Sequence, residues 1–238
     1  DVYKRQTLYS LMNKTVLRGW IWCKRFRKRC GYGVHSPSDF FFITFVIYEK
    51  LPFYAYSQLH HLRRLVAHLS GHREKVDKLF FRLVNFLRPK TIIEFGTGSG
   101  MSTRYMSEAN NEMCIYTYSD GELETQVERL LTTKKNIYYL GSSEKNKIDY
   151  ILQSHETPVL YHIAHTSDYK EVYEKIISNV SDGDCLVISY PYKDKNKKLW
   201  WQTVVKDDRT GVTFDLYDIG IVFFDKKRVK ENRIVNFL

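Results

Sequence analysis

The chain has no apolar run long enough to cross a bilayer. The longest, Phe40 to Tyr48, spans nine residues, less than half of the roughly 20 that a spanning helix needs. Cysteine is scarce, and the four present (Cys23, Cys30, Cys114 and Cys185) form no C-x-x-C pair. With no secretory signal at the start, a reducing, cytoplasmic setting is the expectation. Internal repeats and low-complexity tracts are absent, and so are RNP, KH and zinc modules. Residues Asp1 to Gln6 begin without methionine and resemble translated adapter sequence, so they are left out of the fold reasoning. Acidic residues are also in deficit: 27 Asp and Glu face 37 Lys and Arg, for a formal net charge of +10. That balance points to an anionic partner or surface without naming it.

The first part of the chain reads as helical. Leu8, Leu11, Met12, Val16 and Trp20 recur at helical spacing and run into the basic stretch Lys24-Arg25-Phe26-Arg27-Lys28-Arg29, which suits a helix C-terminus. Gly31 and Gly33 stop that helix. Ser36-Pro37-Ser38-Asp39 opens the next, with Ser36 as cap, Pro37 in the first turn and Asp39 completing a capping box, and it ends near Lys50. Two more helices are expected over 59–70 and 73–87, separated by Gly71 and closed by Pro89. His61, His68 and His72 lie on neighbouring turns, but no acid or cysteine joins them, so an ordinary polar face is the expectation and no metal is assigned.

From Thr91 the texture changes. Strands are expected at 91–95, 113–118, 136–140, 157–163 and 184–190, alternating with helices near 101–109, 122–134, 143–153, 168–180 and 194–206. Such alternation implies an α/β fold with a doubly wound, mostly parallel sheet. Val212–Tyr217 and Ile219–Phe224 are too close together for a parallel crossover and must pair antiparallel. The expected organisation is a helical segment over 7–88 that covers the pocket, followed by the sheet domain over 89–238.

The informative stretch is Glu94-Phe-Gly96-Thr97-Gly98-Ser-Gly100. A β-branched strand ends in an acid, three glycines follow at alternate positions, and a helix begins with its amides free. This is a nucleoside-sized site at the carboxyl end of a first parallel strand. The dinucleotide fingerprint G-x-G-x-x-G places its third glycine one residue later. Glu94 would repel a pyrophosphate, whereas it suits a ligand with a cationic end such as S-adenosylmethionine.

The pattern E-x-G-x-G-x-G resembles motif I of class I methyltransferases. From about Gly31 to Leu238 the chain resembles small bacterial members of that group related to the O-methyltransferases. The likeness includes Gly-Val-His-Ser-Pro at 33–37, Glu49 through Tyr56, and Asp215-Leu216 through Gly220–Phe224. It implies a seven-stranded Rossmann-like methyltransferase sheet, S-adenosylmethionine as cofactor and a small-molecule acceptor. It also implies that Glu94, Gly96, Thr97, Gly98 and Gly100 cradle the cofactor. The acid that usually meets the ribose is replaced by Tyr118-Ser119, leaving Asp120 as its substitute, and Ser142 follows the third strand where adenine is flanked. Ile163 and Tyr190-Pro191 stand where relatives carry metal-binding aspartates, so metal-independent transfer is expected. His165 is the candidate general base, set against a loop histidine with no role. Tyr190 either stacks on a ligand or fills a vacated pocket, and His162 is a satisfied strand residue.

Two alternatives stay open. The loss of acids after the second, fourth and fifth strands fits a lapsed enzyme kept as a binding module. Trp20, Trp22 and Phe26 among the basic residues at 24–29 fit nucleic acid, with RNA modification as the activity, or an anionic membrane surface. Oligomeric state is not written in the sequence.

Overall fold

The structure, a computed structural model, describes residues 15–69, 71–154 and 156–238. Leu8, Leu11 and Met12 of the first expected helix lie outside the described residues. Residues 15–24 form the described part of that helix (α1), and Phe26–Lys28 make a short 3-10 turn. Helix α2, Pro37–Phe42, begins as expected: the Ser36 hydroxyl accepts from the Asp39 amide at 3.4 Å. The second half of the capping box is not made. The Asp39 carboxylate turns away and is buried between Arg228 and Arg233, whose Nε donates at 2.9 Å. Two guanidinium donors outcompete one backbone amide for the carboxylate. The helix continues as a wide π turn over Ile43–Ile47 and stops there, short of Lys50. Helices α3, Tyr56–Leu65, and α4, Glu74–Leu87, follow.

Alternation then sets in as read from the sequence. The strands are β1 Thr91–Phe95, β2 Cys114–Tyr118, β3 Ile137–Leu140, β4 Val159–Ile163, β5 Cys185–Ser189, β6 Thr213–Asp215, β7 Ile219–Phe223 and β8 Asn232–Ile234. The intervening helices are α5 Met101–Ala109, α6 Thr125–Thr132, α7 Lys145–Ser154, α8 Tyr169–Ile177 and α9 Lys195–Lys206. All belong to one sheet in the order β3-β2-β1-β4-β5-β7-β6-β8. Strands β1 to β5 pair in parallel, and β7 runs antiparallel to both β5 and β6. The sheet has eight strands, not the seven expected. The extra one, β8, is three residues paired in parallel with β6, too short and too polar (Asn-Arg-Ile) to register as a strand pattern.

Period-two alternation sends neighbouring residues to opposite faces. Ile92, Leu160 and Val187 pack with Ile47, Leu79, Phe80 and Leu83 of the first helices. Ile93, Tyr161, Leu186 and Ile188 pack with Ile176 and Trp201. The helical segment therefore shares one core with the sheet, and burial of each such side chain contributes about 1.5–3 kcal/mol. The strand order reverses between β1 and β4, which opens a crevice at their carboxyl ends.

Candidate active site

Each glycine of the β1–α5 turn has positive φ: 96° at Gly96, 55° at Gly98 and 69° at Gly100. Their bareness serves three different neighbours. A Cβ on Gly96 would stand 2.5 Å from the backbone nitrogen of His165, which follows β4. On Gly98 it would stand 2.9 Å from Cδ2 of the His165 ring. On Gly100 it would press on Val127 and Leu131 of α6 at 3.1 and 3.3 Å. The first glycine thus lets two strand-end loops meet and the third lets helices pack. The approach surface at the second lies under the imidazole of an exposed side chain.

Glu94, the acid before the turn, is fully buried. Thr103 of α5 and Thr117 of β2 donate to Oε2 at 2.5 and 2.6 Å, and His162 Nδ1 donates to Oε1 at 2.8 Å. Thr97 Oγ1 lies 2.8 Å from Thr117 Oγ1. Since the Thr117 proton is spent on Glu94, Thr97 is the donor in that pair. Oε2 is thus filled by two donors and Oε1 holds one, and Glu94 is linked to the turn through Thr117 and Thr97.

The same logic fixes protons on the other side. A carboxylate only accepts, so His162 donates from Nδ1, and in the neutral ring its Nε2 accepts from the Ser189 hydroxyl at 2.7 Å. Ser189 Oγ, its one proton used, accepts from His72 Nε2 at 2.7 Å. His72 Nδ1 is buried with no partner. The chain His72–Ser189–His162–Glu94 thus runs from the segment before α4 through β5 and β4 to β1. Burial first, then the neighbouring His162 and His165, pushes the His72 imidazole well below its usual value, so His72 is neutral with a bare lone pair. Its ring stacks on Tyr190 at 4.4 Å, and His165 lies 5.3 Å from the same tyrosine. Tyr190 holds this place with φ of 52°, an outlying conformation of the kind that collects at functional sites.

A stability consequence follows for His72. The unfolded chain binds a proton near pH 6.5 and the folded chain does not. Stability is therefore fully present above that value and is lost as pH falls below it, at up to ~1.4 kcal/mol per pH unit. His72→Gln removes this acid limb. Between pH 7 and 5 the wild type should lose roughly 1–2 kcal/mol more than the variant in urea unfolding; equal losses would contradict the assignment.

Two hollows lie on this side of the molecule. One, of about 410 Å³, is lined by Arg63, Arg64, Gly71, His72, Ser99 and Met101 among others. The other is a groove of about 400 Å³ at the ends of β2 and β3 that brings Asp120 and Ser142 together with Gly121 and Leu123. Asp120 also accepts from the Tyr118 hydroxyl at 2.5 Å. Burial and this aspartate push that phenol up to about 12. Of the residues singled out from the sequence, Gly96, Thr97, Gly98 and His165 meet at the turn. Asp120 and Ser142 share the groove beside it, Glu94 lies beneath, and Gly100 faces α6. His72 reads from the sequence only as part of a polar helix face and Ser189 gives no local signal; the two are 117 residues apart in the chain. Ile163 is buried at the end of β4, and among the described residues no group of three or more His, Cys, Asp or Glu is placed to hold a metal.

No family model matches the chain, and no curated protein matches its sequence. Solved structures do match its fold. The O-methyltransferase TomG from Streptomyces achromogenes, in complex with SAM, aligns at a TM-score of 0.55 and 13% identity over 74% of this chain and 91% of its own. An O-methyltransferase from Bacillus cereus, in complex with SAH, gives 0.55 and 15% over 70% and 90%. SAH-bound Podospora anserina methyltransferase PaMTH1 gives 0.57 and 11% over 74% and 99%. The fold is that of the class I methyltransferases.

Proposed function

We propose that the chain is a class I S-adenosylmethionine-dependent methyltransferase that acts without metal on a small or medium nucleophilic acceptor in the cytoplasm. The observation that carries this reading is the three-glycine turn at the switch point of the sheet, with Asp120 and Ser142 lining one groove at the ends of the neighbouring β2 and β3. The groove suits an adenosine, with Asp120 accepting from ribose hydroxyls and Ser142 at the edge of the base. Gly96, Thr97 and Gly98 supply the floor, Gly100 sets α5 against α6, and Glu94 stiffens the floor from beneath. Passage of the ligand across Gly98 requires the His165 ring to swing aside, which an exposed side chain can do. The solved neighbours that carry SAM or SAH support the same ligand.

When bound, S-adenosylmethionine supplies a methyl group already activated on sulfonium, so the protein's task is alignment and proton removal. Partial desolvation of the ring against the turn, then the neighbouring His162, Lys197 and Lys193, hold His165 below its usual value although its edge is exposed. It is therefore neutral at pH 7 and able to take the acceptor's proton. The segment before α4 covers the site and selects the acceptor. No carboxylate stands at Ile163 or Tyr190, which favours metal-independent transfer.

Isothermal titration tests the reading. The wild type should bind S-adenosylmethionine, and Asp120→Ala should weaken it by about 10- to 150-fold, the worth of one charge-assisted hydrogen bond. Absence of heat from folded protein at millimolar ligand would remove the proposal. The position of the His165 ring over Gly98 favours a second reading, a lapsed enzyme retained as a binding module. Binding without turnover on any acceptor would select it.

A further inference from the structure

Positive charge and exposed apolar surface are concentrated in the same part of this molecule. Residues 15–65 hold nine Lys and Arg against two Asp and Glu, a net of +7, where the whole chain carries +10. Of the seventeen large hydrophobic side chains exposed among the described residues, eleven fall between Val16 and Leu65. The two features meet on α1. Its inner face is fixed to the body. Arg18 donates twice to Asp218 at 2.7 and 2.9 Å, Arg25 donates to Asp215 at 3.0 Å, and Asn236 donates to the Trp22 carbonyl at 3.0 Å. Positions 18, 22 and 25 form one helical stripe. The stripe on the other side holds Val16 (70% exposed), Leu17 (48%), Trp20 (55%) and Lys24, with Lys24 Nζ 3.6 Å over the Trp20 ring. Phe26, also exposed, and Arg27, Lys28 and Arg29 continue it.

We infer that this outward stripe is a docking surface for an anionic lipid bilayer. Each component has a use there: Trp20 and Phe26 sit at the headgroup level, Val16 and Leu17 enter the acyl boundary, and the cations meet lipid phosphates. Competing occupants fit worse. Bases offer nothing to the aliphatic Val16 and Leu17, because nucleic acid is held by phosphate contacts and aromatic stacking. A second copy of this chain would set Lys24, Arg27, Lys28 and Arg29 against the same four cations. No helix among the described residues is long and apolar enough to cross a membrane, so the chain would lie on the surface. The part-buried ion pairs of Arg18 and Arg25 hold the stripe to the body.

The test uses the full chain and sucrose-loaded vesicles of phosphatidylcholine with and without phosphatidylglycerol. Co-sedimentation is expected with the anionic vesicles and not with phosphatidylcholine alone, falling as salt rises. Lys24→Glu combined with Arg27→Glu and Lys28→Glu, none of which holds the body, should weaken partitioning by about tenfold or more. Val16→Ser combined with Trp20→Ser should do so by a similar factor, with circular dichroism confirming the fold in both. Failure to sediment, equal sedimentation with neutral vesicles, or indifference to the Val16/Trp20 change would each overturn the inference. So would displacement from vesicles by single-stranded RNA that binds the apolar variant as tightly as the wild type. None of these results depends on S-adenosylmethionine.

Discussion

Glu94→Ala should destabilise the fold by roughly 3–9 kcal/mol. The side chain is fully buried and accepts from Thr103, Thr117 and His162. Removing it strands three donors where water cannot reach. Each orphan costs about 1–3 kcal/mol, so the sum is roughly 3–9 kcal/mol. A domain of this size is held by about 5–15 kcal/mol in total, which puts the upper part of that range beyond what the fold withstands. Glu94→Gln retains one accepting oxygen but turns an amide toward donors, and its loss should fall between those of alanine and the wild type. Urea unfolding followed by tryptophan fluorescence measures both. An alanine variant within about 1 kcal/mol of wild type would mean that the donors have other partners, and the proton assignment from Thr97 to His72 would fail with it.

That one residue shows how far a sequence speaks. The strands, the antiparallel finish and the glycine turn are readable because each is written locally: β-branched runs, a connection too short for a crossover, glycines at alternate positions. The acid before the turn was equally visible, but its employment was not. Whether Glu94 faces a ligand or the interior depends on Thr117, 23 residues on, and His162, 68 residues on. No spacing rule links them; they meet because β2 and β4 flank β1 in the sheet. His72 illustrates the same limit. On a helix-like pattern it is one of three polar histidines, yet in the fold His61 is exposed, His68 pairs with Glu124, and His72 alone of the three is driven inside against Ser189 and Tyr190. Asp39 read as a cap residue because its arginine partners lie 189 and 194 residues away.

The glycines allow structure to be separated from ligand in a single pair of variants. Gly96→Ala would place a methyl 2.5 Å from the His165 backbone nitrogen and 2.6 Å from its carbonyl carbon, at a φ of 96°. Backbone cannot step aside as a side chain can, and L-residues avoid that conformation. Strain of about 1–3 kcal/mol and overpacking of about 1–3 kcal/mol predict a combined loss of roughly 2–6 kcal/mol. Gly98→Ala meets only the mobile edge of an exposed imidazole, at a φ of 55° that other residues tolerate for about 1–2 kcal/mol. Gly98→Ala should therefore melt close to wild type, whereas Gly96→Ala should melt far below it. If Gly98 is bare so that an adenosyl ligand can lie on it, the milder variant should bind S-adenosylmethionine about tenfold or more weakly, the equivalent of ~1.4 kcal/mol, despite its intact fold. Undiminished affinity in Gly98→Ala, with binding present in the wild type, would place the ligand elsewhere and reduce the second glycine to a turn residue beneath His165.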